Sequence, residues 1–120
     1  MSEPEELNQK LPKKEIIRKK TDFKEVFEKG SVWSGKYIKC LYVESNRRTV
    51  GFVVSRRYGN AVMRIRAKRL MREIFRKKRQ SIGPFKIVIM PQKKLDHALF
   101  TELEADFYRF ITWLTIEKNG

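Results

Sequence analysis

Between Val50 and Lys78 the apolar pattern changes its period, and that change limits what the whole chain can become. Val50-Gly51-Phe52-Val53-Val54 is a short apolar run of strand type. After a turn containing Gly59 and Asn60, the residues Met63, Ala67, Leu70, Met71 and Ile74 recur at helical spacing, a stripe about 100° wide. A strand feeding an amphipathic helix needs a second layer for that stripe to cover. Most of the helix's other positions are cationic. From Arg56 to Arg79 there are eleven Lys or Arg and a single acid, Glu73. Charges of one sign at that density repel each other and call for a polyanionic partner.

The rest of the chain supplies the layers. Thr21 as N-cap and Gly30 as the residue after the last turn bracket a short helix over 21–29, with Phe23, Val26 and Phe27 on one side. A short strand at Ser31–Ser34 precedes two longer apolar runs, Tyr37 to Val43 and Val50 to Val54. The six residues Glu44 to Thr49 between them read as a hairpin connection. The basic helix is expected over 61–78. Gly83-Pro84 ends it and opens a last strand from Phe85 to Met90, closed by Pro91. Leu99, Phe100, Leu103, Phe107, Phe110, Ile111 and Leu114 mark a final helix with Asp96 as its cap. The order α-β-β-β-α-β-α predicts an α+β fold, a small mostly antiparallel sheet packed with three helices. Residues 1–15, with two prolines and no periodicity, are expected to be a flexible tail, 16–116 a single RNA-binding domain, and 117–120 the end of the chain.

Composition narrows the classes. Lys plus Arg number 28 against 14 Asp plus Glu, a formal charge of +14 that exceeds what solubility needs. An anionic bilayer would also attract such a surface, but there is no run of 18 apolar residues to span one. The acidic start Ser2-Glu3-Pro4-Glu5-Glu6 is unlike a secretory signal, so the cytoplasm is expected. Cys40, the sole cysteine, lies in a strand pattern and reads as a buried small hydrophobe.

No constellation for protein-borne catalysis is apparent, and no catalytic or metal-binding residue is assigned. His97 is the one histidine and has no Cys or His partner for a nucleophilic triad or a zinc site. The pairs Glu102 with Asp106 and Glu3 with Glu5 sit in ordinary polar contexts, and no phosphate-binding loop motif occurs. The basic helix instead presents Arg64, Arg66, Lys68, Arg69, Arg72 and Arg76 away from its core stripe, a comb matched to successive phosphates. Arg69 and Glu73 form an i,i+4 pair that also serves as structural support. Arg56, Arg57 and Asn60 lead into the helix, and Gly59 is expected to take a positive φ or admit a phosphate. Helix capping and RNA contact account equally for Asn60. Ile65 falls at the centre of the basic face, where base contact, cover by the tail and simple exposure all remain open. Phe23, Phe27, Tyr37, Tyr42 and Trp33 are each either core rings or stacking platforms for single-stranded RNA, with the tyrosines the better ligand-facing candidates.

The run Val53-Val54-Ser55-Arg56-Arg57-Tyr58-Gly59-Asn60-Ala61-Val62-Met63-Arg64-Ile65-Arg66-Ala67-Lys68-Arg69-Leu70-Met71-Arg72-Glu73 resembles the signature of the bacterial ribonuclease P protein family. There a Gly-Asn-Ala-Val turn leads into Arg-Asn-Arg and then Lys-Arg-x-x-Arg-Glu. Thr21 to Gly30 is similar to the family's first helix and closing glycine, and the likeness covers about residues 16–116. The resemblance implies a ribosomal-protein-like two-layer sandwich with a left-handed β-α-β crossover, against the usual hand. It implies a subunit of a tRNA 5′-maturation endonuclease whose chemistry is carried by RNA. Its partners would be ribonuclease P RNA and the precursor tRNA, with no membrane and no obligate protein partner. Mg²⁺ would serve the RNA-protein holoenzyme, with none held tightly by the protein alone. Arg64, Arg66, Lys68, Arg69 and Arg72 would then face the catalytic RNA, and Phe23, Phe27 and Tyr42 would line the cleft for the 5′ leader. Two departures stand out: Ile65 replaces the expected Asn, and Lys86 and Met90-Pro91-Gln92 replace the usual acid and arginine around the last strand. The competing expectation is a ribosomal or RNA-chaperone binding module without a processing role; an autonomous nuclease is the third.

Overall fold

The computed structural model describes residues 11–119, with side chains through Glu117. Its elements are α1 (Lys20–Lys29), β1 (Ser31–Ser34), β2 (Ile38–Glu44), β3 (Thr49–Phe52), α2 (Ala61–Lys78), β4 (Phe85–Pro91) and α3 (Phe100–Asn119), in the expected α+β order. The four strands form one sheet, β1-β2-β4-β3. β4 has β2 antiparallel on one side and β3 parallel on the other, so Ile87 stands between Tyr42 and Val50.

The expected hairpin between β2 and β3 does not form. Ile87, Val88 and Ile89 are all fully buried, and a strand apolar on both faces belongs inside a sheet, not at its edge. β4 therefore inserts between β2 and β3, and the Glu44–Thr49 connection becomes a bridge across its end, where Ser45 N–H donates to Pro84 O at 2.9 Å.

Strand alternation sorts the apolar residues into two layers. Ile38, Cys40 and Tyr42, Val50 and Phe52, and Phe85, Ile87 and Ile89 meet α2 and α3 in the larger core. There α2 buries Ala67, Met71 and Ile74 as expected, and also Phe75. Leu103, Phe107, Phe110 and Leu114 of α3 complete the layer. On the opposite face Leu41 and Val88 pack with Ile17 and Val26 of α1, alongside Phe23, Val43, Val53 and Met90. Cys40 is fully buried, and burial pushes its thiol well above the ordinary range.

Several local expectations change. The packed body begins before residue 16: Leu11 packs on the larger core, and Ile17 N–H donates to Val50 O at 2.8 Å. Residues 1–10 of the expected tail lie outside the described residues. Thr21 lies inside α1, whose N-cap Lys19 makes no side-chain cap. Gly30 has φ −72°, so a close approach explains it: a Cβ there would stand 2.3 Å from Val26 O. Asp96 belongs to a 3-10 turn, and Glu102 reaches back instead to the Leu99 N–H at 2.8 Å to close the start of α3.

Two buried acids fasten distant segments. Asp106 of α3 accepts from the backbone N–H groups of Lys36, Tyr37 and Ile38 at 3.0, 2.9 and 3.1 Å, and from Arg109 at 2.8 Å. It thereby pins the β1–β2 turn to the last helix. Glu15 accepts from Arg48 Nε at 3.0 Å and pairs with Arg79 at 3.3 Å, clamping the N-terminal strap against the β2–β3 connection and the end of α2.

Asp106→Ala leaves the two fully buried N–H groups, those of Tyr37 and Ile38, without an acceptor, and at about 1–3 kcal/mol for each a loss of roughly 2–6 kcal/mol is expected. Urea denaturation followed by circular dichroism measures it. Asp106→Asn, which keeps one acceptor oxygen, should lose less; equal stability of all three proteins would show that the turn does not depend on this carboxylate.

Candidate nucleic-acid interface

The basic surface is built from the segment that joins β3 to β4. Ser55 Oγ accepts from Arg57 N–H at 3.1 Å, shaping a tight turn over Arg56–Tyr58. Asn60 Oδ1 accepts from Met63 N–H at 2.9 Å, which makes Asn60 the N-cap of α2. Gly59 is extended at φ 165°, outside the left-handed region, one of the two uses expected of it, and lies against the side chain of Met63. The Tyr58 hydroxyl donates to Asp96 at 2.8 Å and ties this turn to the segment before α3.

Arg56, Arg57, Arg66, Lys68 and Arg69 are exposed and form no salt bridge among the described residues. Arg72, also exposed, has its guanidinium carbon 5.8 Å from the Phe52 ring centroid, a cation-π contact. Two members of the expected comb do structural work. Arg64 is half-buried and donates to Gly59 O at 2.6 Å, bracing the turn. Glu73 pairs with Arg76, at 3.1 Å from Nε to Oε2, and not with Arg69. That hydrogen bond lowers the Glu73 carboxyl and raises the Arg76 guanidinium. Val62 and Ile65, 75% and 59% exposed, are an apolar pair among these cations. Neither is covered by the described part of the N-terminal strap.

The aromatic candidates divide by strand parity. Phe23 and Phe27 are on α1. Phe23 lies against Gly51, where a Cβ would meet the ring at 2.4 Å, and Phe27 is 46% exposed. Tyr42 is a correction: it faces the other layer, against Phe85 and Phe110, accepts from Trp113 Nε1 at 2.6 Å and donates to Glu117. Leu41, one residue earlier, takes the α1 side. Trp33 packs on Phe110 and Tyr37 is buried, so neither serves the α1 cleft. On the α1 face of the sheet Phe23 packs with Leu41, Val43, Val88 and Met90, while Phe27 stays exposed on the same helix; the parity of β2 around buried Ile38 and Cys40 is the sequence signal that identifies Leu41.

Among the described residues no three His, Cys, Asp or Glu converge as a metal site, and no helix is long and apolar enough to cross a membrane. His97 is exposed.

A protein-family model described as Ribonuclease P matches residues 11–115. The ribonuclease P protein component of Acidothermus cellulolyticus is 35% identical over 115 residues, covering 92% of this chain and 96% of that protein. That of Thermotoga petrophila is 34% identical over 92 residues, covering 74% and 79%. Among solved structures, the ribonuclease P protein of Thermotoga maritima superposes with a TM-score of 0.73 at 28% identity, covering 81% of this chain and 94% of that one. A Staphylococcus aureus ribonuclease P protein mutant reaches 0.77 at 21% identity, covering 86% and 90%, a likeness of fold.

Burial, with the Asp96 hydrogen bond, raises the Tyr58 hydroxyl above its ordinary 10.0, and burial raises Tyr42 in the same sense. The folded state therefore holds protons that the unfolded chain releases near pH 10. The stabilisation is complete below that pH and is lost as pH rises beyond it. Melting temperature should fall above pH 10, and Tyr58→Phe should flatten that fall; an unchanged alkaline profile in the variant would count against the hydrogen bond.

Proposed function

The chain belongs to the ribonuclease P protein family, and from that premise we propose that it binds the catalytic RNA through α2 and the precursor tRNA leader through the α1 cleft. It is the protein component of a ribonucleoprotein endonuclease that removes the 5′ leader of precursor tRNA, working with the ribonuclease P RNA. The observation that carries the assignment of surfaces is the outward side of α2 and its preceding turn. Arg56, Arg57, Arg66, Lys68 and Arg69 project there without acidic partners, and Arg72 joins them. Six cations along one helix and its entry turn neutralise phosphates and release their counterions, giving tight but salt-sensitive binding. Asn60 and Arg64 act one step back, by fixing where α2 starts.

The α1 cleft supports the second role. Phe27 offers an exposed ring and Phe23 a half-buried one over a floor of aliphatic side chains, a surface suited to unpaired bases in any sequence. Lys86 is tied to Asp22 at 2.8 Å and Glu25 at 2.6 Å, which holds α1 at its distance from β4.

Mg²⁺ belongs, in this reading, to the RNA. The described residues offer no cluster of carboxylates or imidazoles for it, and the face turned to the RNA is positive and repels a divalent cation. The cations of α2 reduce phosphate repulsion in the folded RNA, so the holoenzyme needs less Mg²⁺ than the RNA alone. A cytoplasmic location accords with the work on precursor tRNA.

Arg66→Ala with Arg69→Ala should weaken binding to the catalytic RNA and lower the slope of log affinity against log salt by about 1.4–1.8, at roughly 0.7–0.9 per lost contact. An unchanged slope places the RNA on another surface. Phe27→Ala, at an exposed site, should keep the melting temperature within a few degrees while reducing holoenzyme affinity for precursor tRNA; precursor binding equal to that of the parent protein would remove the ring from the cleft.

A further inference from the structure

Around the axis of α2 the cations do not stand alone: an apolar ridge runs between them. Successive residues of a helix are about 100° apart, so buried Ala67, Met71, Ile74 and Phe75 mark one side of α2. Val62 and Ile65 fall on either side of the opposite, most outward line, with Arg69 close to that line. Arg66 flanks the ridge on one side and Lys68 on the other, roughly 160° apart around the axis. Arg56 and Arg57, in the turn before Asn60, close its N-terminal end.

Val62 is 75% exposed and Ile65 59%, and Val62 is the most exposed large hydrophobic side chain among the described residues. Three residues apart on a helix, the two are neighbours and present one continuous apolar surface. Both are β-branched, and in a helix such side chains are already nearly confined to one rotamer. Burying them on a ligand therefore costs little side-chain entropy, far less than ordering the arginines around them. The start of the helix that carries them is fixed as well, by the Asn60 cap and by Arg64 on Gly59 O.

The charge around the ridge says what covers it. Arg56, Arg57, Arg66, Lys68 and Arg69 form no salt bridge among the described residues. A second copy of this +14 chain is repelled from such a surface, and a polyanion is drawn to it. A nucleic acid that reaches Arg66 and Lys68 together has to cross the ridge between them. Its phosphates go to the guanidinium and ammonium groups. What remains to meet two aliphatic side chains is the carbon surface of riboses and bases. A phosphate seated on the ridge instead would lose water without gaining a donor.

We propose that Val62 and Ile65 pack against ribose and base carbons of the catalytic RNA and are specificity-determining residues of the complex, supplying affinity that salt does not screen. The ridge rests on the reading of α2 as the catalytic-RNA surface and deepens it. The cations hold any RNA that brings phosphates to α2. The ridge favours the RNA that brings carbon surface to the gap between them, so it separates the cognate RNA from other folded RNAs of equal charge.

The test titrates the full-length protein with the catalytic RNA, and with a generic folded RNA of equal length, at several salt concentrations. Val62→Ala with Ile65→Ala should weaken catalytic-RNA binding by about tenfold at every salt concentration, the scale of removing a few buried methyl groups. The slope of log affinity against log salt should stay that of the parent, because no phosphate contact is lost. Affinity for the generic RNA, held by phosphates alone, should change by less than about twofold. Ile65→Val by itself should keep most of the affinity. Alanine is the better helix former at both exposed positions, so the melting temperature of the free protein should hold or rise. Unchanged catalytic-RNA affinity, a lowered salt slope, or an equal loss for the generic RNA would each overturn the ridge. Arg66→Ala with Arg69→Ala in the same titration reports the α2 reading separately. If that pair lowers the slope while the ridge variant binds as the parent does, the ridge alone falls. If neither variant has any effect, α2 as the RNA surface falls with it.

Discussion

The basic face of this molecule follows from β3 lying parallel to β4. Two parallel neighbours cannot be joined by a tight turn, so the chain leaves the sheet after Phe52 and crosses back before Phe85. The crossover is α2. One side of that helix is committed to the larger core through Ala67, Met71, Ile74 and Phe75, and the other side must face outward. The cations are placed on that outward side, on a rigid element whose start is set by Asn60 and whose entry turn is braced by Arg64 and Tyr58. An RNA-binding comb of arginines on a loop would lose more conformational entropy on binding than one already fixed in this way.

Charge is used in two distinct manners. Asp106 and Glu15 are buried and fully engaged, one with three backbone N–H groups and the other with two guanidinium groups. They join segments far apart in sequence, and removing either would strand polar groups in the interior. Arg66, Lys68 and Arg69 of α2 and Lys13, Lys14, Arg18 and Lys19 of the strap form no salt bridge within the described residues, so their repulsion is relieved from outside. A protein of +14 can stay folded because its few acids sit where they fasten the fold and its surplus cations sit where solvent and RNA screen them.

Tyr42 and Leu41 show how one position of register separates packing from binding. Side chains alternate across a strand, so Tyr42 is drawn beneath α3 by the same parity that buries Ile38 and Cys40, while Leu41 joins the α1 cleft. The hydroxyl of Tyr42 then finds Trp113 and Glu117. Carrying Tyr42 over to the proposed leader cleft from the family resemblance overlooks that parity. Phe23 and Phe27 escape the ambiguity because α1 has a single buried residue, Val26, and is too short to hide both rings.

Local rules sufficed for α2 and its start. The 3.6-residue period gave α2 its limits, Asn60 its capping role and the helix its separation of apolar and cationic sides, because these depend on residues three or four apart. The signature around Asn60 to Glu73 likewise pointed to the family, since its residues are contiguous in one turn and helix. Tertiary structure decided what depends on partners distant in sequence. The hairpin failed because β4, forty residues later, competes more strongly for the centre of the sheet. Asp96 left its capping role for Tyr58, and Glu73 chose Arg76 over Arg69, because hydrogen bonds form with whichever donor the packing delivers. A groove lined by Lys13, Lys14, Arg18, Lys19 and Arg47 is the clearest case: the strap, the β2–β3 connection and the strand that form it come together only when the sheet is assembled, and no spacing along the chain announces it.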